Sequence, residues 1–256
     1  MPNSIPIIEA KDVSISFGGL QAIDNLSFQV ERGQIYSIIG PNGAGKTTAL
    51  NLITSIYRPT YGNIYFENKP LARKRPYQIA CMGIARTFQN IQVFQNMTTR
   101  ENVMVGLHTQ TKSGFLQCLL NTPNVRREEK VIRQKTDEVL LFLGLSGKAD
   151  LLASGLPYGD QKRVEIARTL ATNPKLVLLD EPVAGLNNKE TEEMAQIILE
   201  IRKMGITVIL VEHDMNLVMG ISDCIAVLNY GKKIAEGTST DIQNHPKVIE
   251  AYLGKE

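Results

Sequence analysis

The sequence predicts an α/β fold with a mostly parallel sheet, an antiparallel β subdomain and an inserted α-helical subdomain. Three observations predict it. Gln34–Ile39, Leu176–Leu179 and Ile206–Val211 are short, continuous apolar runs, the pattern of strands buried on both faces. Amphipathic helical patterns follow such runs. Between about residues 92 and 156 the helical pattern persists without any strand pattern, which implies a separate lobe. The expected layout is therefore a core of 1–91 and 157–256, with its antiparallel part, and a helical subdomain of 92–156.

Length and composition bound the rest. A chain of 256 residues suits one elaborated core, or a core with a smaller lobe. Lys+Arg 28 against Asp+Glu 26 gives a net charge of +2, which argues against a strongly basic nucleic-acid-binding surface. Cys81, Cys118 and Cys224 are odd in number and widely spaced, so neither a disulfide framework nor a zinc site is expected, and a reducing cytosol fits. There is no apolar run of about 18 residues, and Met1-Pro2-Asn3-Ser4-Ile5 lacks the charged and apolar regions of a signal peptide. Neither secretion nor membrane spanning is expected.

Taken in order, Ile7–Phe17 and the strictly alternating Leu26–Val30 read as antiparallel strands ahead of the first buried strand. Phe17, at the end of the first, is most simply a strand-end aromatic; an aromatic face for stacking on a base is its second reading. The strand Gln34–Ile39 runs into Gly40-Pro41-Asn42-Gly43-Ala44-Gly45-Lys46-Thr47, followed by Thr48, and Thr48–Ile56 has apolar residues at helical spacing. This satisfies G-x-x-x-x-G-K-[ST] in strand–loop–helix context. Such a loop aims backbone N–H groups and the positive end of a helix dipole at one point, where a triphosphate would lie. Lys46 would reach the β- and γ-phosphates, and the Thr47 hydroxyl would help hold Mg²⁺.

Asn63–Glu67 reads as a strand, and residues 69–83 carry a short helical pattern. Gln89, in Phe88-Gln89, is by default a solvated loop residue. Thr98-Thr99-Arg100-Glu101 has the capping-box form. Ser113–Val125 is expected to be a loop or short helix. Arg126–Leu143 is expected to be an amphipathic helix with Val131, Ile132, Val139, Leu140 and Leu143 on one face. Leu156-Pro157-Tyr158-Gly159-Asp160-Gln161 begins with turn formers and continues as a helix to about Ala171, stopped by Thr172-Asn173-Pro174.

The strand Leu176–Leu179 ends in Asp180-Glu181-Pro182, placing two carboxylates at the carboxyl edge of a parallel sheet, where open α/β sheets bind ligands. Asp180 would complete the Mg²⁺ shell, and Glu181 would orient or deprotonate an attacking water. Asn187 reads as an N-cap for a helix whose stripe Met194, Ile197, Ile198, Ile201 and Met204 is core. Ile206–Val211 delivers Glu212-His213-Asp214 to the same edge, making His213 the site-like histidine, whereas His108 and His245 read as surface residues. A helix around Met215–Gly220, a hairpin through Tyr230-Gly231-Lys232 and a terminal helix ending near Tyr252 close the chain.

Together these motifs resemble the ATP-binding subunits of ABC transporters, from Ile7 to Gly254. The resemblance implies that Phe17 stacks on adenine, that Gly40–Thr48 are the Walker A loop and that Gln89 is the Q-loop glutamine, a further Mg²⁺ contact. It also implies that Leu176–Glu181 are the Walker B strand with its catalytic Glu181, and that His213 is the switch histidine. The signature motif, usually L-S-G-G-Q, reads Leu156-Pro157-Tyr158-Gly159-Asp160 here. Its serine is replaced by Pro157, which leaves Tyr158, Gly159, Asp160 and the helix start to meet a second subunit's ATP. The usual aspartate of the following loop is Asn187 in Ala184-Gly185-Leu186-Asn187.

The tracts Glu212–Asp223, Gly114–Leu116 through Thr122-Pro123 to Arg126–Glu129, and Ala251–Gly254 look like the longer ATPase subunit of branched-chain amino acid importers. That resemblance implies ATP and Mg²⁺ as cofactors. It further implies a second ATPase subunit in a head-to-tail dimer, two integral membrane permeases, an extracytoplasmic binding protein and a peripheral place on the cytoplasmic face of a prokaryotic membrane. Three rival readings are an ABC ATPase that extracts lipopolysaccharide, a soluble ABC ATPase of DNA repair or translation, and a phosphate-loop kinase. The Pro157-Tyr158 signature and the Met215–Asp223 tract count against the first. The absence of a coiled-coil insertion or tandem halves counts against the second, and the signature helix with His213 against the third.

Overall fold

The computed structural model describes residues 5–107 and 123–253. Its elements begin with β1 (Ile8–Phe17), β2 (Leu20–Val30), β3 (Ile35–Ile39), α1 (Lys46–Ile53), β4 (Tyr61–Phe66), β5 (Lys69–Pro70), α2 (Pro76–Cys81) and β6 (Ile84–Arg86). The helical stretch comprises α3 (Thr99–Leu107), α4 (Pro123–Phe142) and α5 (Tyr158–Ala171). Then follow β7 (Leu176–Asp180), α6 (Asn188–Lys203), β8 (Thr207–Val211), α7 (Met215–Ile221), β9 (Cys224–Asn229), β10 (Lys232–Gly237), α8 (Ser239–Gln243) and α9 (Pro246–Leu253). The chain divides into two compact units, 1–86 with 175–256, and 87–174.

The first unit holds both sheets. A four-stranded antiparallel sheet runs β2-β1-β4-β5, and a six-stranded sheet runs β10-β9-β3-β8-β7-β6. In the latter, β3 pairs in parallel with β8 and β9, and β7 in parallel with β8 and β6, while the β9–β10 hairpin is antiparallel. All five residues of β3, of β7 and of β8 are buried, as continuous apolar runs covered on both faces must be. The register aligns Ile38, Val211 and Asp180 across β3, β8 and β7. Strands about 4.8 Å apart put the ends of β3 and β7 about 10 Å apart, with the end of β8 between them.

The second unit is helical. Its first helix, α3, carries the expected capping box, in which the Thr98 N–H donates to Glu101 Oε2 at 2.7 Å and the Glu101 N–H to Thr98 Oγ1 at 3.2 Å. Helices α3 and α5 approach so closely at Gly106 that an added Cβ would lie 2.3 Å from the Arg168 carbonyl oxygen. That packing explains why α5 belongs to this unit, although the sequence reading places residues 157–171 in the core.

Several local expectations need correction. Helix α4 starts at Pro123 rather than Arg126, because proline is suited to a first helical turn. Val131, placed on the apolar face of its helix, and Met204, read as core, are exposed: Val131 lies off the buried face of α4, and Met204 sits just past the last turn of α6. The Nδ1 of His245 is buried between α8 and α9, so this histidine is not a plain surface residue. Strand β6 escapes a pattern search because three residues show no period. His108, Cys118, the tract 113–122 and Gly254 lie outside the described residues.

Candidate functional site

The glycine loop is built by the end of β3 and the start of α1. Gly40 has φ +148°, and a Cβ there would stand 2.1 Å from the Leu228 carbonyl oxygen, so neither its conformation nor its space admits a side chain. Gly45 has φ +103°, and its Cβ would meet Ala22 O at 2.8 Å. The loop is thus pressed against β9 and β2. It is tied there by the Gly231 N–H donating to Ala44 O at 3.0 Å and the Asp24 N–H donating to Gly231 O at 2.9 Å. Its outer face, Pro41–Ala44, borders a cavity of about 660 Å³ walled by Asn229, Tyr230, Ile234 and Lys247.

Lys46 is buried, and its ammonium donates to the Gly40 carbonyl at 2.7 Å and the Pro41 carbonyl at 3.2 Å. Burial pushes this lysine down from its ordinary range, while the carboxylates of Glu181 and Asp180 pull it back up. That influence brings the loop, Asp180 and Glu181 into one electrostatic site. Thr47 is exposed and Thr48 half-buried behind the loop.

Asp180 ends β7, its side chain 2 % exposed, and accepts from Arg86 Nη2 at 2.7 Å. Arg86 Nη1 donates to Asn51 Oδ1 at 2.6 Å, so this guanidinium ties β7, β6 and α1 together. Sequence reasoning missed Arg86, because a buried ion pair between residues 86 and 180 leaves no local signal. Glu181 is half-buried with φ +51°, a conformation that costs a non-glycine residue on the order of 1 kcal/mol. Its N–H donates to Val211 O at 2.9 Å, which holds the reversal against β8.

The triplet after β8 divides into three tasks. Glu212 is fully buried, and its carboxylate accepts the Val183 N–H at 2.9 Å and the His213 N–H at 3.0 Å. It thereby joins the segment after Glu181 to the segment carrying His213. Burial pushes its carboxyl up, opposed by those N–H groups. His213 itself is 63 % exposed, with Nδ1 3.8 Å from Glu212 Oε2. Asp214 caps α7 by accepting the Leu217 N–H at 3.0 Å. At the far end of β1, Phe17 is exposed, its ring edge-on to Tyr57 with centroids 4.9 Å apart.

Gln89, Tyr158, Gly159 and Asp160 belong to the second unit. Gln89 lies in the loop after β6, and the Phe88 N–H beside it donates to Glu165 Oε1 of α5 at 3.0 Å. Further along, the buried amide of Asn102 accepts the Phe94 N–H at 2.8 Å and donates to the Phe94 carbonyl at 3.0 Å. Helix α5 opens with exposed Tyr158, buried Gly159 and buried Asp160, whose carboxylate pairs with Lys148. No acidic, histidine or cysteine cluster that could hold a metal alone occurs among the described residues. An oxygen pair such as Thr47 and Asp180 is the kind of donor set Mg²⁺ takes when phosphates supply other ligands.

Comparison with known proteins identifies the family. The family model for ABC transporters matches residues 23–184, and that for the branched-chain amino acid ATP-binding cassette transporter matches residues 232–256. The chain is 46% identical over 253 residues to the high-affinity branched-chain amino acid transport ATP-binding protein LivG of Escherichia coli K12, covering 98% of this chain and 99% of LivG. Among solved structures, the ADP conformation of MJ1267, an ATP-binding cassette of an ABC transporter, superposes with a TM-score of 0.85 at 35% identity, covering 98% and 99% of the two chains. A dimeric post-hydrolysis state of the ATP-binding cassette MJ0796, bound to ADP and Pi, gives a TM-score of 0.77 at 27% identity over 91% and 98%. With the glycine loop, the two carboxylates at the end of β7 and the histidine after β8 on one sheet edge, this chain belongs to the ABC transporter family as an ATP-binding, ATP-hydrolysing domain.

Proposed function

We propose that this chain powers uptake of branched-chain or other hydrophobic amino acids, as one ATPase subunit of a head-to-tail dimer on the cytoplasmic face of a membrane. The observation that carries the ATPase chemistry is Lys46, buried under the glycine loop and acted on by the Glu181 and Asp180 carboxylates. Two neutral carbonyls balance a buried ammonium poorly, and a triphosphate matches it. Gly40–Thr48 hold ATP through backbone N–H groups and Lys46, and Phe17 offers its ring to adenine. Mg²⁺, when bound, would neutralise developing phosphate charge, and in the first unit Thr47 and Asp180 are the residues that would hold it.

Glu181 orients or deprotonates the attacking water, and His213 senses the γ-phosphate beside it. Tyr158, Gly159 and Asp160 at the start of α5 meet the nucleotide of the second subunit. The amino acid cargo is supported by the near full-length likeness to LivG and by the match at residues 232–256. The described residues contain no helix long and apolar enough to cross a membrane. The likeness to transporter ATP-binding proteins supports two permeases as the pathway, with an extracytoplasmic binding protein that together with them selects the substrate.

Two measurements test this reading. Glu181→Gln lowers ATP turnover by about 10²- to 10⁴-fold while ATP still binds; turnover at the parent rate removes Glu181 from its role. Gentle solubilisation of membranes carrying the tagged chain recovers two permeases and a second ATPase. Recovery with ribosomes or nucleic acid alone sinks the transport assignment.

A further inference from the structure

Glu165 is a buried carboxylate that the phosphate-handling residues leave unexplained. It sits on α5, 4 % exposed, and its acceptors face the backbone of the loop after β6. Oε1 takes the Phe88 N–H at 3.0 Å, and the Gln92 N–H is a second partner, so the two bonds bracket Gln89. A carboxylate accepting backbone N–H groups makes short, strong, directional bonds. One turn along α5, the Arg168 guanidinium lies 5.4 Å from the Phe94 ring, gripping the same loop at a second point.

The spacing along the helix gives this contact its significance. Glu165 follows Tyr158 by seven residues, two helical turns, so both lie on nearly the same face about 10 Å apart along the axis. A helix of 14 residues moves as a rigid rod over that length. We propose that Glu165 is a positioning residue that locks the Gln89 loop to the signature helix, so that seating Tyr158–Asp160 on the second subunit's nucleotide sets the backbone at Gln89. This inference rests on the roles given above to Gln89 and to the start of α5.

The experiment is a double-mutant cycle on ATP turnover by the full-length chain. Glu165→Gln keeps the shape and one acceptor but turns an amide NH₂ toward the other N–H. It lowers kcat about tenfold with KM for ATP within twofold and melting temperature nearly unchanged. It also lowers the Hill coefficient for ATP. In a Gln89→Ala background the same change has no further effect. Glu165→Asp, which keeps the charge but withdraws it from the loop, gives the same pattern and covers failure of the glutamine variant to fold. Effects of Glu165→Gln and Gln89→Ala that simply multiply, or a loss of melting temperature with kcat intact, overturn the coupling and leave the Gln89 reading standing. Normal turnover in Gln89→Ala alone overturns both.

Discussion

The two units hold their functional segments by different means. In the first, a loop or carboxylate gains its place from the end of a strand: β3 sets Gly40, β7 sets Asp180 and β8 sets Glu212. The ladder does the aiming. In the second unit no sheet backs the segment around Gln89; buried side chains, Glu165 at one end and Asn102 at the other, tie its backbone, helped at the far end by the Ala153 and Ser154 N–H groups donating to Met97 O and Gln95 O. Each unit buries a glutamate against backbone N–H groups. Glu212, however, reinforces a position that β8 already fixes, whereas Glu165 stands in for a missing ladder. A backbone-built site is rigid by topology, and a side-chain-built one moves with the helix that owns the side chain.

The sharpest way to break this comparison is to remove Arg86. If strand ends alone aim the first unit's carboxylates, its loss would matter little. The ion pair with Asp180 is nevertheless fully enclosed, with side chains 5 % and 2 % exposed. Taking the guanidinium away from the buried Asp180 carboxylate in Arg86→Met costs about 3–5 kcal/mol in urea unfolding. A loss under about 1 kcal/mol would show that β7 positions Asp180 unaided. For the second unit the corresponding test is Asn102→Leu. It strands the Phe94 N–H and takes one of two donors from the carbonyls of Phe94 and Met97, which keep the N–H groups of Met97 and Ala153, at a cost of about 1–3 kcal/mol. Hydrogen exchange accelerates over residues 88–97 and stays unchanged in β3, β7 and β8. Exchange that rises evenly in both units would erase the distinction drawn between them.

The same contrast explains what the sequence makes legible. Continuous apolar runs reveal β3, β7 and β8 because burial on both faces demands them, and the glycine loop is visible because only glycine tolerates the φ at Gly40 and Gly45. The layout of the first unit's site follows from motif order once strands are assumed parallel. What pattern cannot show is a partner fixed by tertiary contact. Arg86, Glu165 and Asn102 belong to no motif and carry no local signal, although all three have buried side chains. Helix period also overextends: Met204 continues the stripe of Met194, Ile198 and Ile201, but the helix ends at Lys203 and Met204 turns outward.

Asn187 offers the smallest and most discriminating test. It departs from the aspartate usual in its family, yet in this fold it caps α6, accepting the Glu190 N–H at 3.0 Å while Glu190 accepts the Asn187 N–H at 3.0 Å. Asparagine and aspartate cap equally well, and alanine does not. Asn187→Ala therefore costs about 1 kcal/mol in urea unfolding, and Asn187→Asp leaves stability within about 0.5 kcal/mol. The aspartate variant thus isolates function from fold. A change in its ATP turnover at unchanged stability reports on what this loop meets in the dimer, because the cap itself is preserved. If Asn187→Asp destabilises as much as Asn187→Ala, the amide serves the fold through more than its cap, and the loop joins the side-chain-held segments of the second unit rather than the strand-held ones of the first.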